Sequence, residues 1–225
     1  RGRRDGGQAG AVAAAELQTH VERISGAKLP LATTADTVAG PRILLGRSAE
    51  TERLGIAIPS GFTPALAEEG YVLQVVGDAL VAAGNDDGPA LQEDPKDPYS
   101  FPTVYKGTLF AVYDLLERLG CRWYYPGDFG TCLPEARDLA VPALDVRAKP
   151  SFPVRGFWYG LPASRRNNAQ LTADMDLWML RNRFLPYGSV LPSAGDGSVM
   201  APFRKNKVEK IDGKRVVTNL LFVEH

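Results

Sequence analysis

Arg155 is the residue whose type and setting best suit chemistry in this chain. It lies in residues 154–159, VRGFWY, which are predicted to form a strand directly after a proline-rich segment. A guanidinium presents a rigid fork of N–H groups that suits hydroxyls or a carboxylate of a ligand. A structural ion pair at a domain interface is the alternative for Arg155. The flat rings of Trp158 and Tyr159 suit stacking on a sugar ring, and packing in a core is their alternative.

Two further motifs are weaker, and both have a structural explanation. Lys106-Gly107-Thr108 resembles the end of a phosphate-binding loop, but the upstream glycine is expected near position 101, which is Phe101. A simple helix start is therefore favoured. Residues 85–88, NDDG, lack the alternating acids and the late glutamate of a calcium loop, which favours a solvated turn. Acidic residues are spread along the chain, so no catalytic carboxylate is assigned, and neither a cofactor nor a metal is predicted.

Cysteine and histidine are too few for a predicted metal site. Cys121 and Cys132 flank an aromatic segment, where either a disulfide or a pair of buried thiols fits the sequence. His20 and His225 are the only histidines, and His20 is expected on or beside the surface of a helix.

Composition excludes some partners. Lys plus Arg and Asp plus Glu each number 26 with no basic stripe, which argues against nucleic acid as the main partner. No apolar run approaches the roughly 18 residues needed to span a bilayer. The first ten residues, RGRRDGGQAG, contain neither a methionine nor a signal-type apolar core. We therefore expect a fragment, which leaves the compartment open; a periplasmic or secreted location requires a signal peptide upstream.

The hydrophobic pattern of residues 1–150 predicts an α+β domain. Helices are expected at residues 11–25 and 105–120, with Gly120 ending the second. Strands are expected at residues 42–46, 71–76, 80–83 and 122–125, with a hairpin turn at Gly77-Asp78. Residues 138–147 are expected to form either another strand pair or one long bent strand. The expected architecture is a two-layer sandwich in which helices cover one face of a mixed sheet.

Residues 151–225 are predicted to be a second, incomplete domain. The linker at residues 149–153, KPSFP, restricts the chain and places the boundary near residue 150. A helix is predicted at residues 172–183 with Thr172 as its N-cap and with Arg181 and Arg183 at its C-terminal end. A hairpin turn at Asp212-Gly213 and a strand at residues 216–223 follow. This order resembles the start of a (β/α)8 barrel, which needs about 250 residues.

The order of several segments resembles a known family. They are AAAELQTHVERISGAKLPL, ILLGRS, EEGYVLQVVGDALVAAGND, YKGTLFAVYDLLERLGCRWYYPG and AKPSFPVRGF. Together, over about residues 11–157, they resemble the N-terminal α/β domain that precedes the catalytic barrel in α-glucuronidases, β-N-acetylhexosaminidases and related bacterial glycoside hydrolases. The resemblance implies a non-catalytic accessory domain at 1–150, a truncated barrel start at 151–225, and a carbohydrate substrate for the complete enzyme.

The resemblance also implies a role for one residue. In hexosaminidases a similar P-x-F-P-x-R-G segment opens the first barrel strand and its arginine holds sugar hydroxyls, which corresponds to Arg155. Residues 157–160, FWYG, depart from the family pattern, so hexosaminidase specificity is not implied. The catalytic carboxylates of the family lie on later barrel strands that this chain lacks. The chain by itself is therefore predicted to be inactive.

Two alternatives remain open at this point. The chain fits a non-catalytic carbohydrate-binding or protein-interaction module that displays Trp123, Tyr124 and Tyr125, and these rings are expected to be exposed in such a module and buried in an accessory domain. A self-contained enzyme would need two carboxylates roughly 5–10 Å apart in a pocket. The sugar, the linkage and the oligomeric state are not predicted.

Overall fold

The computed structural model describes residues 7–32, 40–61, 69–87, 105–151, 155, 168–184, 206–211 and 214–219. The chain forms two compact units, Arg1–Leu185 and Pro186–His225. In chain order the elements are α1 (Gly7–Ser25), β1 (Arg42–Leu45), α2 (Ala49–Arg53), β2 (Tyr71–Val76), β3 (Ala79–Gly84), α3 (Gly107–Arg118), β4 (Arg122–Trp123), β5 (Thr131–Cys132), β6 (Asp145–Ala148), α4 (Ala169–Arg181), β7 (Asn206–Ile211) and β8 (Lys214–Asn219). Within these described ranges no helix is long and apolar enough to cross a membrane.

A mixed four-stranded sheet with strand order β1-β3-β2-β6 confirms the predicted α+β class. The pair β2–β3 is antiparallel, and Gly77 has a φ of 60°, which suits the first central position of the predicted type II′ turn. The pair β1–β3 is parallel. The first strand was predicted to be buried, but Ile43 is 38% exposed because β1 lies at one end of the described sheet.

The core lies on both faces of this sheet. On one face α1 and α3 pack against Leu73, Leu80 and Ala82. On the other face the segment after α2 contributes Ile56 and Ile58, which pack with residues of β2 and β3. Helices α1 and α3 therefore share one face of the sheet, and the short segment after α2 packs on the other face.

The central helix α3 is more completely buried than the other helices of the described residues. Its buried residues are Gly107, Thr108, Leu109, Phe110, Ala111, Val112, Tyr113, Leu115 and Leu116. Gly120 follows the helix with a φ of 104°, a left-handed conformation that favours glycine, as predicted. The aromatic strand after it is shorter than predicted, since β4 contains only Arg122 and Trp123.

The helix α4 begins three residues earlier than predicted. Asn168, not Thr172, is the N-cap, and its side-chain oxygen accepts a hydrogen bond of 3.0 Å from the Leu171 amide. At the other end Arg183 has a left-handed φ of 60°. The Arg183 amide donates to the Leu180 carbonyl at 2.9 Å and the Phe184 amide donates to the Met179 carbonyl at 2.8 Å, which is a Schellman motif.

The second unit contains an antiparallel pair. Strands β7 and β8 pair with Ile211 opposite Lys214, as expected for a hairpin around residues 212 and 213, which lie outside the described residues. The predicted strand at residues 154–159 also lies outside them except for Arg155, so the domain boundary at 150 and the barrel start stay predictions. The first compact unit includes Arg155 and α4.

Candidate functional site

The end of β3 and the start of α3 meet at van der Waals distance. The Gly107 amide donates to the Asn85 carbonyl at 2.9 Å, and the Tyr105 amide donates to the Asp87 carbonyl at 3.2 Å. A Cβ on Gly107 would lie 2.3 Å from the Asn85 nitrogen, and one on Gly84 would lie 2.4 Å from the Gly107 carbonyl carbon. Both glycines are therefore needed for this contact, which explains the Lys106-Gly107-Thr108 sequence without a phosphate.

Asp86 caps α3 from the neighbouring segment. Its two carboxylate oxygens accept hydrogen bonds from the Thr108 amide at 2.9 Å and from the Thr108 hydroxyl at 2.6 Å. Burial raises the pKa of Asp86 to about 6, and the bonds from Thr108 oppose this rise. The prediction of a solvated turn at residues 85–88 is wrong for Asn85, which is 1% exposed, because this end of β3 lies against the helix start.

Four charged side chains surround this contact, and we call Glu69, Asp86, Lys106 and Arg155 the junction cluster. Lys106 is 1% exposed and Glu69 is 5% exposed. One oxygen of Glu69 accepts the Lys106 backbone amide at 3.2 Å, and the other forms an ion pair with Arg155. Burial, together with the nearby charge of Arg155, lowers the pKa of Lys106 to about 8, although Glu69 and Asp86 oppose the shift. Two acids and two bases thus share one poorly solvated region.

Arg155 is held from three directions. Its guanidinium pairs with Glu69, its Nε donates to the Arg183 carbonyl at 2.7 Å, and its Cζ lies 5.6 Å from the centroid of the Phe110 ring. The side chain is 12% exposed. The structure therefore places Arg155 in an ion pair, which is the alternative that the sequence offered, and its sugar-binding role stays a prediction. Trp158 and Tyr159 lie outside the described residues.

Two more arginines of the segment after residue 150 pair with glutamates. Arg181 binds Glu16 through two hydrogen bonds of 2.9 and 3.2 Å, and Arg183 binds Glu117 through two of 3.0 and 2.6 Å. The first pair is nearly buried, with the two side chains 11% and 10% exposed. These arginines were expected to cap and solvate the C-terminal end of their own helix. Their guanidinium groups instead bind carboxylates of α1 and α3.

His20 belongs to a buried polar network around Trp123. The Trp123 indole N–H donates to Nε2 of His20 at 3.3 Å, so the proton of the neutral imidazole lies on Nδ1, which donates to the Glu16 carbonyl at 2.7 Å. Burial lowers the pKa of His20. The expectation that His20 lies on the helix surface is wrong, because Trp123 and Arg181 extend the buried side of α1.

Glu16, Glu69 and Glu117 were not identified from the sequence. Glu16 and His20 are four residues apart, so they share one side of α1 with Leu17 and Ile24. This spacing was the available signal for a polar network, but it does not indicate Arg181 as the partner. Glu69 precedes its strand as one of two adjacent glutamates, and the sequence does not distinguish them.

The aromatic segment divides between core and surface. Trp123 is 4% exposed, whereas Tyr124 and Tyr125 are each 63% exposed and Phe129 is 94% exposed. We call residues 124–130 the aromatic loop. Of Trp123, Tyr124 and Tyr125 only Trp123 is buried, so neither the mostly buried arrangement expected of an accessory domain nor the exposed one expected of a module holds for all three. Cys121 and Cys132 are both free thiols, so they do not form the disulfide that the sequence allowed. The alternative, a pair of buried thiols, is confirmed for Cys121 and wrong for Cys132, which is exposed.

The described residues contain no group of three or more His, Cys, Asp or Glu side chains that could hold a metal ion. The arrangement instead consists of buried ion pairs that join the sandwich to Arg155 and α4, beside a loop of exposed rings. Compared with protein-family models and with curated proteins, the chain matches none.

Proposed function

We propose that this chain is the non-catalytic N-terminal portion of a glycoside hydrolase that acts on glycosidic bonds of poly- or oligosaccharides. Residues 1–150 are its accessory domain, residues 151–225 begin its (β/α)8 barrel, and the accessory domain braces that barrel. The resemblance over residues 11–157 supports this proposal. So does the way in which the residues after 150 attach to the sandwich.

The observation that carries the proposal is a set of three arginine–glutamate pairs. Arg155, Arg181 and Arg183 follow the linker, and each binds a glutamate that precedes it, at positions 69, 16 and 117 respectively. The pairs of Arg155 and Arg181 are nearly buried, and removing one partner of such a pair costs about 3–5 kcal/mol because the other charge stays buried. The pair of Arg183 is partly exposed, so its removal costs less. Bracing requires attachments of this kind at several points, and three pairs restrain both position and rotation.

The first test is catalytic activity. Paired carboxylates on later barrel strands would perform hydrolysis in the complete enzyme, through an oxocarbenium-like transition state. The 225-residue chain is therefore expected to give no turnover on a panel of nitrophenyl glycosides. Turnover that co-purifies with the folded chain would overturn the proposal and would favour a self-contained enzyme.

The second test separates bracing by Arg155 from contact with sugar. In the complete enzyme, Arg155→Ala removes both the ion pair and any sugar contact, whereas Glu69→Gln removes only the partner of the pair. A rise in KM with Arg155→Ala alone would support the predicted role on sugar hydroxyls. Equal losses of thermal stability with unchanged KM in both variants would make Arg155 a bracing residue only.

A second candidate function is a non-catalytic carbohydrate-binding or protein-interaction module. The exposure of Tyr124 and Tyr125 favours it, since an accessory domain that only braces a barrel does not require exposed rings. Binding by the isolated chain, without turnover and independent of the three arginine–glutamate pairs, is the expected property of such a module. Retention of that binding in Glu69→Gln would support it, and loss of binding in that folded variant would count against it.

A further inference from the structure

The aromatic loop exposes more ring surface than the fold requires. Phe129 is 94% exposed and lies beside Tyr125, with ring centroids 6.4 Å apart and an interplanar angle of 55°. Tyr124 adds a third ring that is 63% exposed. Since an aromatic side chain presents about 200 Å², the neighbouring rings of Tyr125 and Phe129 expose on the order of 300 Å², and Tyr124, adjacent in sequence, exposes about 130 Å² more. Exposed patches of this size on a monomer are often functional.

The loop that presents these rings is fixed by its own backbone. The Tyr124 amide donates to the Gly130 carbonyl at 2.8 Å, and the Thr131 hydroxyl donates to the Gly127 carbonyl at 3.1 Å. A Cβ on Gly130 would lie 2.3 Å from the Tyr125 nitrogen, so the two sides of the loop are in direct contact. The buried Trp123 anchors one end. A rigid loop loses little conformational entropy when it binds a ligand.

Polar groups lie at the rim of the rings. Arg23 of α1 donates to Asp128 at 3.1 Å, and these two side chains are 41% and 88% exposed. An exposed ion pair contributes roughly 0–1 kcal/mol, so its donors and acceptors are available to a ligand at small cost. Flat apolar rings beside a carboxylate and a guanidinium match a sugar, which has an apolar C–H face and a rim of hydroxyl groups.

We propose that Tyr124, Tyr125 and Phe129 form a binding surface for a saccharide chain, with Asp128 and Arg23 contacting its hydroxyl groups. This inference rests on the second candidate function and names its ligand; it does not require the bracing role. The exposed area of the rings favours a saccharide over a protein as the ligand. A standard protein interface buries about 800 Å² on each partner, and the rings supply about half of that area.

The test is retention of the 225-residue chain on three insoluble probes, microcrystalline cellulose, chitin and xylan, each measured as a binding isotherm. We expect saturable binding to at least one probe and a loss of affinity of at least tenfold in the variant Tyr124→Ala, Tyr125→Ala, Phe129→Ala. Leu31→Ala is the matched control, since Leu31 is 61% exposed outside the loop, and it should bind like the unchanged chain. Circular dichroism checks that each variant is folded, and the single variants replace the triple one if it unfolds.

Three outcomes would overturn the proposal. They are no retention on any probe, equal retention of the triple variant, and equal loss in Leu31→Ala. Analytical sedimentation of the chain and of the triple variant measures self-association. It distinguishes failure of the saccharide proposal from failure of the second candidate function. Self-association that the triple variant abolishes, without saccharide binding, would keep a module but give the rings a protein partner; absence of both would remove the module as well.

Discussion

Glu69 binds Arg155 across 86 residues of sequence, and its second carboxylate oxygen accepts the backbone amide of Lys106. One side chain thus joins the residues before β2, the start of α3 and the segment after the linker. The side chains of Glu69 and Arg155 are 6% and 12% exposed, so little water can reach either charge if the ion pair is broken. Their pairing determines how the segment after residue 150 is attached.

Removal of the Glu69 charge is expected to destabilise the fold. Glu69→Gln removes the carboxylate charge that pairs with the nearly buried guanidinium of Arg155, and we expect the free energy of unfolding to fall by about 3 kcal/mol. Urea denaturation followed by circular dichroism measures this change. Asp128→Asn is the control, because Asp128 and its partner Arg23 are 88% and 41% exposed, and such pairs contribute roughly 0–1 kcal/mol. Equal effects in the two variants would contradict the importance given to the buried pair.

Asp86 is expected to make stability fall as the pH rises from about 4 to about 6. Its pKa in the folded state is about 6, against 3.8 as its ordinary value, so the folded state binds more protons than the unfolded state in this window. The difference corresponds to a few kcal/mol at most. Asp86→Asn cannot ionise, and its stability relative to the unchanged chain should increase as the pH rises from 4 to 6.

The control for this pH dependence is Asp138→Asn, since Asp138 is exposed. Its stability curve should run parallel to that of the unchanged chain over the same pH range. A constant difference between Asp86→Asn and the unchanged chain would show that Asp86 has an ordinary pKa in the folded state.

His20 is expected to remain neutral below the pH at which an exposed histidine is protonated. Burial lowers its pKa from 6.5, so the unfolded state binds the proton first and stability falls as the pH decreases through 6.5. Nitrogen-detected NMR should show the proton on Nδ1 and a titration midpoint below 6.5. The variant His225→Ala leaves His20 as the only histidine and assigns the signal. A midpoint at or above 6.5 would contradict the buried arrangement with Trp123.

Gly107→Ala and Gly10→Ala form a matched pair. A methyl group on Gly107 collides with the backbone of Asn85, and we expect a loss of about 3 kcal/mol because two backbone segments must separate. At Gly10, within α1, an added Cβ meets nothing within 4 Å, so the alanine should stabilise the helix by roughly 0.5–1 kcal/mol. Thermal unfolding of both variants measures the contrast, and similar effects of either sign would show that the contact of β3 with α3 is loose.

Local features of the fold were predictable because their signals lie close together in sequence. The glycine at position 77 indicates the hairpin of β2 and β3, and Gly120 indicates the end of α3. The N-cap of α4 was misplaced because Thr172 and Asn168 both suit a cap, and only the structure shows that Asn168 accepts the amide of Leu171. An error of this kind moves the predicted start of a helix by a few residues but leaves the prediction of a helix correct.

The ion pairs were not predictable because their partners lie far apart in sequence. Glu16 and Arg181 are separated by 165 residues, and Glu117 and Arg183 by 66. Arg183 also has a left-handed φ, which in a Schellman motif usually indicates glycine and costs an ordinary residue on the order of 1 kcal/mol. The two bonds from its guanidinium to Glu117 explain why arginine occupies that position, and one sequence does not contain that information.

The hydrogen bond between Tyr105 and Asp87 has a consequence for how the chain can change in length. Asp87 and Tyr105 flank residues 88–104 in the sequence, and the Tyr105 amide donates a backbone hydrogen bond of 3.2 Å to the Asp87 carbonyl. Loop closure depends weakly on length, so doubling a flexible insert at this point costs only about 0.6 kcal/mol. An insertion between Asp87 and Tyr105 would therefore begin and end at neighbouring residues, and we expect a foreign domain placed there to leave the contact of Gly84 with Gly107 unchanged.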